Sequence, residues 1–368
     1  MSPLHGIKVV ELARILAGPW AGQVLADLGA EVIKVESPAG DDTRTWGPPF
    51  VEHADGSKDA AYFHATNRGK SSVVIDFTTA EGQAQVRELV RDADVVIENF
   101  KLGGLAKYGL DYESLAQHNP RLIYCSITGF GQDGPYASRA GYDFIVQGMS
   151  GMMDITGEPQ GAPMKIGVAY ADILTGLYAV IGIEAALHQR AVTGRGQHVD
   201  MALFDVMVGT LANQAMNYLV SGKAPRRLGN AHPNIVPYEA YPTADGWAII
   251  AVGNDAQFAR LVELLGLEAK VEWATNAGRV NDRIAVSPAV AEKTRGWRRD
   301  DLLAALEERG IPAGPINTVP EALADPQIAA RGMVLEMEGG IKGLRTPIRF
   351  SDAELALGKP SPKLGDSD

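Results

Sequence analysis

The stretch "IKVVELARILAGPWAGQVLADLGAEVIKVES", residues 7–37, holds two short apolar runs with a helix-like segment between them. The runs at 7–13 and 31–37 are rich in valine and isoleucine, as strands are. Pro19 lies near the start of the intervening segment and Gly29 near its end, which is the usual arrangement at the two ends of a helix. The stretch therefore predicts a strand–helix–strand unit, the building block of a parallel sheet.

The same alternation continues through residue 131. Continuous β-branched runs between helices indicate strands that are buried on both faces, as in parallel sheets. We therefore predict a Rossmann-like, doubly wound parallel sheet of the α/β class. The further strands are SSVVIDF (71–77), DVVIENF (94–100) and RLIYCSITGF (121–130), and the helices lie at 79–92 and near 112–118.

Helices are predicted to dominate from about 140 to 220. A basic linker follows at 226–232, and the pattern of predicted strands and helices changes after it. A hairpin with its turn at Asp245–Gly246 then precedes further helices and an extended segment. We predict two domains: a large Rossmann-like domain over 1–226, to which residues 331–368 return, and a smaller α+β domain over 227–330. The helices are predicted at 141–153, 172–189, 200–222, 255–265 and 299–309, and the extended segment at 311–319.

The composition of the chain argues against several classes of protein. The 368 residues carry a formal net charge of -11, which argues against a general nucleic-acid surface. The single Cys125 excludes an intrachain disulfide framework and predicts a cytoplasmic location. No signal peptide is recognised, and no run reaches the roughly 18 apolar residues of a membrane span. The seven histidines are scattered without metal-ligand spacing, so we predict no metal.

Basic residues recur near predicted strand ends. In an open α/β sheet, ligands bind beyond the carboxyl ends of the strands, so these side chains could converge on phosphates. Solvated surface lysines are the alternative interpretation. The first strand–helix turn lacks the G-x-G-x-x-G pattern, which disfavours a nicotinamide cofactor. The residues are Arg14, Arg68, Lys70, Lys101 and Lys107.

Asp172 stands out within the apolar segment "VAYADILTGLYAVIG", residues 168–182. It could cap the helix that starts here, since aspartate is a preferred N-cap residue. It could also be a nucleophile, because a helix N-terminus keeps a carboxylate ionised and small neighbours, Ala171 and Gly176, would let a substrate approach. On the residues alone, the cap is the favoured interpretation. A second polar turn, "GNDAQF" at 253–258, is compatible with Asp255 capping the next helix.

Several longer motifs resemble the class III CoA-transferase family, which includes formyl-CoA:oxalate and carnitine CoA-transferases and the alpha-methylacyl-CoA racemases. Segments 40–50, 167–179 and 229–241 are most similar to the succinyl-CoA:glutarate CoA-transferase branch. The resemblance covers nearly the whole chain. Beside the stretch quoted first, its marks are "NRGKSSVVIDF" (67–77), "VVIENF" (95–100), "ITGFGQDGPYASRAGYDFIVQGMSG" (127–151) and "TGRGQHVDMALFDV" (193–206).

The resemblance implies CoA transfer through a covalent intermediate on Asp172. The carboxylate would attack an acyl-CoA thioester and pass through a mixed anhydride to an aspartyl-CoA thioester. Gly253 and Asn254 match the loop that shields such intermediates in the family. Tyr142 stands in "RAGYD" where the racemases carry a catalytic His, so a racemase-like isomerase is the less favoured alternative. Packing of Tyr142 in the core is its structural alternative.

The resemblance also implies coenzyme A as the acyl-carrying substrate and an interlocked homodimer as the assembly. Arg14, Asn99, Lys101 and Lys107 match CoA contacts, and Arg68 is added as a basic residue of the same region. Arg44 and His232 are candidates for the distal carboxylate of a dicarboxylic acid, with capping or packing as the alternative. The partners expected are small molecules and a second copy of the chain, without nucleic acid or membrane. A CoA-binding protein without catalysis is a third possibility.

Overall fold

The computed structural model describes residues 1–53 and 55–367 as a mixed α/β chain. Its strands are β1 Lys8–Glu11, β2 Glu31–Glu36, β3 Phe50–Glu52, β4 Lys58–Ala60, β5 Ser71–Val74, β6 Val95–Glu98, β7 Ile123–Thr128, β8 His198–Ala202, β9 Tyr238–Thr243, β10 Gly246–Ala251, β11 Ala313–Pro315, β12 Val334–Glu336 and β13 Lys342–Leu344. Its helices are α1 Ala17–Asp27, α2 Ala61–His64, α3 Ala80–Arg91, α4 Tyr112–Ala116, α5 Asp143–Met149, α6 Met152–Ile155, α7 Tyr170–Thr193, α8 Leu203–Gly209, α9 Ala212–Ser221, α10 Asp255–Leu265, α11 Asn276–Asn281, α12 Arg283–Thr294, α13 Arg299–Glu308, α14 Val319–Ala324 and α15 Pro326–Ala330.

The chain forms two compact units. The first unit combines Met1–Met152, Lys165–Ser221 and Pro326–Asp368, and the second combines Met153–Met164 with Gly222–Asp325. The segment Met153–Met164 thus belongs to the second unit, whereas the sequence analysis placed it within the first domain.

A six-stranded sheet forms the centre of the first unit. Its order is β5-β2-β1-β6-β7-β8, and every neighbouring pair is parallel. Counted along the chain, this is the Rossmann-type order 3-2-1-4-5-6, so the parallel sheet predicted from the sequence is confirmed. The direction of winding reverses between β1 and β6, which leaves a crevice beyond their carboxyl ends.

Both faces of this sheet are covered. Val9 and Ile97 point into a core that includes α1 and α7, while their neighbours Val10 and Val96 point into a second core with α3. Because successive side chains of a strand face opposite sides, both sets of positions must be apolar. This requirement explains the continuous apolar runs of the sequence.

The sixth strand, β8, lies where the sequence predicts the start of a helix. Residues 200–222 were predicted as one helix, but His198–Ala202 form the edge strand β8, and two helices follow it. The strand alternates exposed and partly buried residues, and only Ala202 is fully buried, so it lacks the apolar run of the central strands. The second of these helices, α9, begins at Ala212, whose φ of 45° breaks the helical path from α8.

A second predicted helix is also divided. Residues 141–153 were predicted as one helix, whereas α5 ends at Met149 and α6 begins at Met152. Gly151 lies between them with a φ of 87°, a left-handed conformation that glycine adopts easily.

Helix α7 is the one helix in the described part of the chain that is long and apolar enough to cross a membrane by length and composition. Its buried residues, including Val180 and Ile183, belong to the main hydrophobic core of the first unit. One face of α7 therefore packs into the core of that unit.

The second unit contains the antiparallel sheet β11-β10-β9. Tyr241, Ile250, Leu261 and Leu306 contribute to its own hydrophobic core. The hairpin between β9 and β10 is where the sequence placed it, with Thr243 paired to Gly246 across the turn. The sequence analysis missed α11 and α12, and α12 contains Pro288 in its interior.

Candidate active site

Asp172 is the third residue of α7 and is partly buried. The N-cap of this helix is Ala169, whose side chain offers no capping atom. The interpretation of Asp172 as the N-cap is therefore wrong. Its carboxylate lies in the first turn, where the free N–H groups and the dipole of the helix favour an anion.

Asp143, the first residue of α5, caps α7 from outside. Its Oδ1 accepts a hydrogen bond from the Ala171 N–H at 2.7 Å and a longer one from the Asp172 N–H at 3.4 Å. Its Oδ2 accepts from Gln147 Nε2 at 2.8 Å, and Gln147 Oε1 in turn accepts from the Ile166 N–H at 3.0 Å. Asp143 and Gln147 thus hold the segment that leads into the first turn of α7.

Burial dominates the ionisation of Asp172. Desolvation raises the pKa of Asp172 to about 7, and the negative charge of Asp143 acts in the same direction. The sequence analysis expected the helix N-terminus to keep this carboxylate ionised, and the surroundings oppose that tendency. A carboxylate that titrates near neutral pH and is poorly solvated is a stronger nucleophile than a surface aspartate.

The small residues beside Asp172 serve helix packing. Ala171 is fully buried, and a Cβ atom on Gly176 would lie 2.7 Å from the Ala17 carbonyl oxygen and 3.1 Å from Trp20 Cδ1. These residues let α1 and α7 approach each other closely. The expectation that they open a path for the substrate is wrong.

Tyr62, on α2, shares the electrostatic environment of the two carboxylates. Burial raises the pKa of Tyr62, and the charges of Asp172 and Asp143 raise it further. The ring packs edge-on against Trp46 at a centroid distance of 5.3 Å. Trp46 is about half exposed. Sequence reasoning singled out neither residue: Trp46 lies in segment 40–50, where only Arg44 was considered, and no motif marks Tyr62.

Arg14 and Asn99 meet across the crevice between β1 and β6. Arg14 N donates to Asn99 Oδ1 at 2.9 Å, and Asn99 Nδ2 donates to the Arg14 carbonyl at 2.6 Å. Ile15, the next residue, has a φ of 71°, and its N–H donates to Asp41. Such a conformation is strained for a β-branched residue and is typical of functional loops.

Three of the predicted cations are exposed in this unit. Arg14 forms an exposed ion pair with Asp42 at 2.8 Å, and Lys101 and Lys107 are solvent-exposed. Lys107 Nζ lies 4.6 Å from the centroid of the Tyr108 ring. These three side chains are available to phosphates, since a surface ion pair contributes little and exchanges easily.

Arg68 and Arg44 occupy a different environment from the one predicted. Arg68 is only 2% exposed, makes two hydrogen bonds to the Asp27 carboxylate, and donates to the Leu344 carbonyl at 2.7 Å. Arg44 is also buried and donates to Glu36 at 2.8 and 2.6 Å. Both guanidinium groups are committed to buried partners, so neither is free for a phosphate or a substrate carboxylate.

The predicted site residues of the second unit make local hydrogen bonds within that unit. Asn254 is the N-cap of α10 and accepts from the Gln257 N–H at 2.9 Å, while Gly253 N donates to Gln257 Oε1 at 2.7 Å. Asp255 is not the cap; its carboxylate accepts from Arg279 at 2.8 Å. His232 is partly buried, and its Nδ1 accepts from the Asn234 N–H at 3.1 Å.

Tyr142 is the N-cap residue of α5 and directly precedes Asp143. Its side chain is 69% exposed, so the alternative that it packs in the core is wrong. An exposed phenol next to the Asp143–Asp172 pair is free to meet a ligand.

Residues 4–368 match the sequence profile of CoA-transferase family III. The chain belongs to CoA-transferase family III. The resemblance drawn from the motifs is thereby confirmed, and the protein is a CoA-transferase.

Two relatives and one solved structure support the assignment. The succinate–glutarate CoA-transferase of Agrobacterium fabrum is 62% identical, with 99% of this chain and 93% of the relative covered. The human succinyl-CoA:glutarate CoA-transferase is 41% identical over 99% of this chain and 84% of its own. The crystal structure of a CAIB/BAIF family protein from Brucella suis superposes with a TM-score of 0.91 at 65% identity, covering 99% and 97% of the two chains.

Replacing Asp143 by asparagine in this CoA-transferase tests its electrostatic influence on Asp172. The amide keeps an oxygen for the Ala171 N–H but removes a negative charge, so the pKa of Asp172 falls below its present value of about 7. We expect the acidic limb of the kcat/KM profile to move to lower pH.

The measurement is the pH dependence of kcat/KM for the wild type, Asp143→Asn and a control, Asp133→Asn. Asp133 is exposed, and its substitution should leave the profile unchanged. A loss of rate in Asp143→Asn without movement of the acidic limb would restrict Asp143 to a purely structural role.

Proposed function

We propose that this CoA-transferase moves CoA from succinyl-CoA to a small dicarboxylic acid, with glutarate as the acceptor, through an aspartyl-CoA thioester on Asp172. The observation that carries the proposal is a partly buried carboxylate in the first turn of α7 with a pKa of about 7. The choice of acids is supported by the names of relatives at 62% and 41% identity.

The covalent steps follow from the position of this carboxylate. An Asp172 oxygen attacks the thioester carbonyl carbon, the C–S bond breaks, and a mixed anhydride and the CoA thiolate result. The thiolate then attacks the aspartyl carbonyl carbon, which releases succinate and leaves the aspartyl-CoA thioester. The acceptor carboxylate repeats the two steps in reverse, so that Asp172 is regenerated and no proton is gained or lost overall.

The protonation state of Asp172 sets the lower pH limit of this cycle. Only the carboxylate attacks, and with a pKa of about 7 roughly half of the molecules carry it at neutral pH. The raised pKa also makes the bond from aspartate to the acyl carbon easier to form. Asp143 contributes by fixing the start of α7 while it raises the pKa of its neighbour.

Binding of the CoA phosphates is assigned to the exposed cations of the first unit. Lys101 and Lys107 follow β6, and Arg14 follows β1, at the reversal of the sheet where ligands bind in folds of this type. The Asn99 side chain holds the Arg14 backbone beside the crevice through two hydrogen bonds. Tyr142, exposed and directly before Asp143, is assigned to contact with the acyl chain. Gly253 and Asn254 stay predictions from the family resemblance.

The working assembly we propose is an interlocked homodimer. Helix α9 has no buried residue within the chain, and its Leu219 and Val220 are 72% and 81% exposed. Ile181 and Phe144 add exposed apolar surface on α7 and α5. Apolar surface of this kind in one chain is typical of an obligate interface. A cytoplasmic location stays a prediction from the sequence.

The test is an acceptor panel with succinyl-CoA and straight-chain dicarboxylic acids of different length. Products are identified as CoA esters by mass spectrometry. We expect glutaryl-CoA to form with the highest kcat/KM, and acids one methylene longer or shorter to fall by about 10- to 200-fold. Absence of every CoA ester despite tight CoA binding would favour the CoA-binding protein without catalysis.

A second assay separates the isomerase alternative. A 2-methylacyl-CoA is incubated with the enzyme in deuterated water, and deuterium at the α carbon is measured. We expect none, because Tyr142 stands where a second base would be needed. Rapid deuterium incorporation without CoA transfer would overturn the proposal.

A further inference from the structure

Two histidines and an aspartate meet in the first unit beside the hairpin formed by β3 and β4. His53 directly follows β3, Asp59 lies in β4, and His64 is the last residue of α2. Each offers a ligand atom, and these atoms all lie within 4.8 Å of one another. Asp59 and His64 are buried, and His53 is partly buried. The sequence spacing predicted no metal site, because the fold brings these residues together across a turn and a helix.

His64 is the most informative residue of this cluster. Both of its ring nitrogens are buried, and neither has a hydrogen-bond partner among the described residues. A neutral imidazole always holds one N–H donor and one acceptor, so two polar atoms are left unsatisfied. Buried polar groups are almost always paired in native proteins, which points to a missing partner at this position.

We propose that His53, Asp59 and His64 bind one divalent transition-metal ion of the Zn²⁺, Co²⁺ and Ni²⁺ class. Two imidazoles and one carboxylate are ligands that these ions accept readily, and three protein ligands leave a position for water. Tetrahedral N and O ligands at about 2.1 Å from the ion lie about 3.4 Å apart. The spread of up to 4.8 Å between the ligand atoms therefore needs a side-chain movement of about 1 Å.

The Arg44 guanidinium already contacts the carboxylate of the cluster, and the ion would share Asp59 with it. Arg44 Nη1 lies 3.1 Å from Asp59 Oδ2, but Arg44 is also paired with Glu36 at 2.6 Å, so its charge is balanced without Asp59. His53 Nε2 is 3.0 Å from the same Asp59 oxygen. On binding, His53 exchanges this hydrogen bond for the ion, and its ring nitrogen binds in the neutral, unprotonated form.

The ion would act as a structural link. It would join the hairpin to α2, the helix whose Tyr62 lies in the electrostatic field of Asp172. No covalent step of CoA transfer passes through it. Its effects should therefore be seen in metal binding and in thermal stability, independently of turnover.

The experiment titrates Co²⁺ into full-length, tag-free protein from which metal has been removed with a chelator and dialysis. We expect visible d–d absorption that saturates at one Co²⁺ per chain and is displaced by Zn²⁺. Saturating Zn²⁺ should raise Tm by a few degrees, since a ligand that binds only the folded state stabilises it. His53→Gln and His64→Gln should each weaken Co²⁺ binding by about ten-fold or more.

Two further variants make the result decisive. His118→Gln removes an exposed histidine outside the cluster and should bind Co²⁺ like the wild type. His64→Met should keep or raise Tm without metal, because it removes two unsatisfied nitrogens, and should lose the Tm gain from Zn²⁺. The proposal is overturned by the absence of saturable absorption in the wild type, or by unchanged binding in both His53→Gln and His64→Gln.

Discussion

Replacement of Asp172 by asparagine is expected to reduce CoA transfer by roughly 10⁴-fold or more, as loss of a covalent nucleophile does in other enzymes. The amide has nearly the same shape but cannot form the anhydride with the acyl carbon. Mass spectrometry of the protein incubated with succinyl-CoA should show an adduct on Asp172 in the wild type and none in Asp172→Asn. Unimpaired exchange in the variant would rule out the covalent route.

Asp172→Asn is expected to lower activity but to raise the stability of the folded protein. The folded-state pKa of Asp172 lies near 7, above its value of 3.8 in a model peptide, so the folded protein loses stability as pH rises between these two values. Above both values the ionised side chain costs on the order of 2–4 kcal/mol, less any screening by solvent at this partly exposed position. Asp172→Asn should therefore raise Tm at pH 8 and leave it nearly unchanged at pH 4. An equal Tm shift at both pH values would show that ionisation is not the cause.

Arg68→Met is expected to destabilise the first unit by about 3–5 kcal/mol, because it leaves the Asp27 carboxylate buried without its partner. Burial already raises the pKa of Asp27 despite the guanidinium, which shows how costly this charge is. Thermal and denaturant unfolding measure the loss. The KM for succinyl-CoA in the folded fraction should not change.

Two controls distinguish a structural arginine from a phosphate ligand. Lys101→Met removes an exposed cation and should raise the KM for succinyl-CoA without changing Tm. The double variant Asp27→Leu with Arg68→Met removes both buried charges and should recover most of the stability. A raised KM with an unchanged Tm in Arg68→Met would return this residue to the CoA site.

The sheet could be predicted from the sequence where burial on both faces forces an apolar run. β1, β2, β6 and β7 meet this condition, and their positions were predicted to within a few residues. The edge strand β8 does not meet it, because its residues alternate between exposed and partly buried positions and only Ala202 is buried. Its residues then look like the start of the helix that follows.

The candidate site was predictable only where a single residue carried the signal. Asp172 is conspicuous as a charge in an apolar segment and matches the family motif. The role of Asp143 depends on a hydrogen bond between residues 28 positions apart, which no local pattern reveals. Arg68 was misassigned for the same reason, since its partner Asp27 lies 41 positions away.

The close approach of α1 and α7 at Gly176 limits how this enzyme can be re-engineered. Gly176 has no side-chain carbon to remove, and a carbon added there would press against the Ala17 carbonyl and Trp20 and shift the first turn of α7, which carries Asp172. Variant libraries that aim at other acids should therefore leave Gly176 unchanged and keep the contact between the two helices intact.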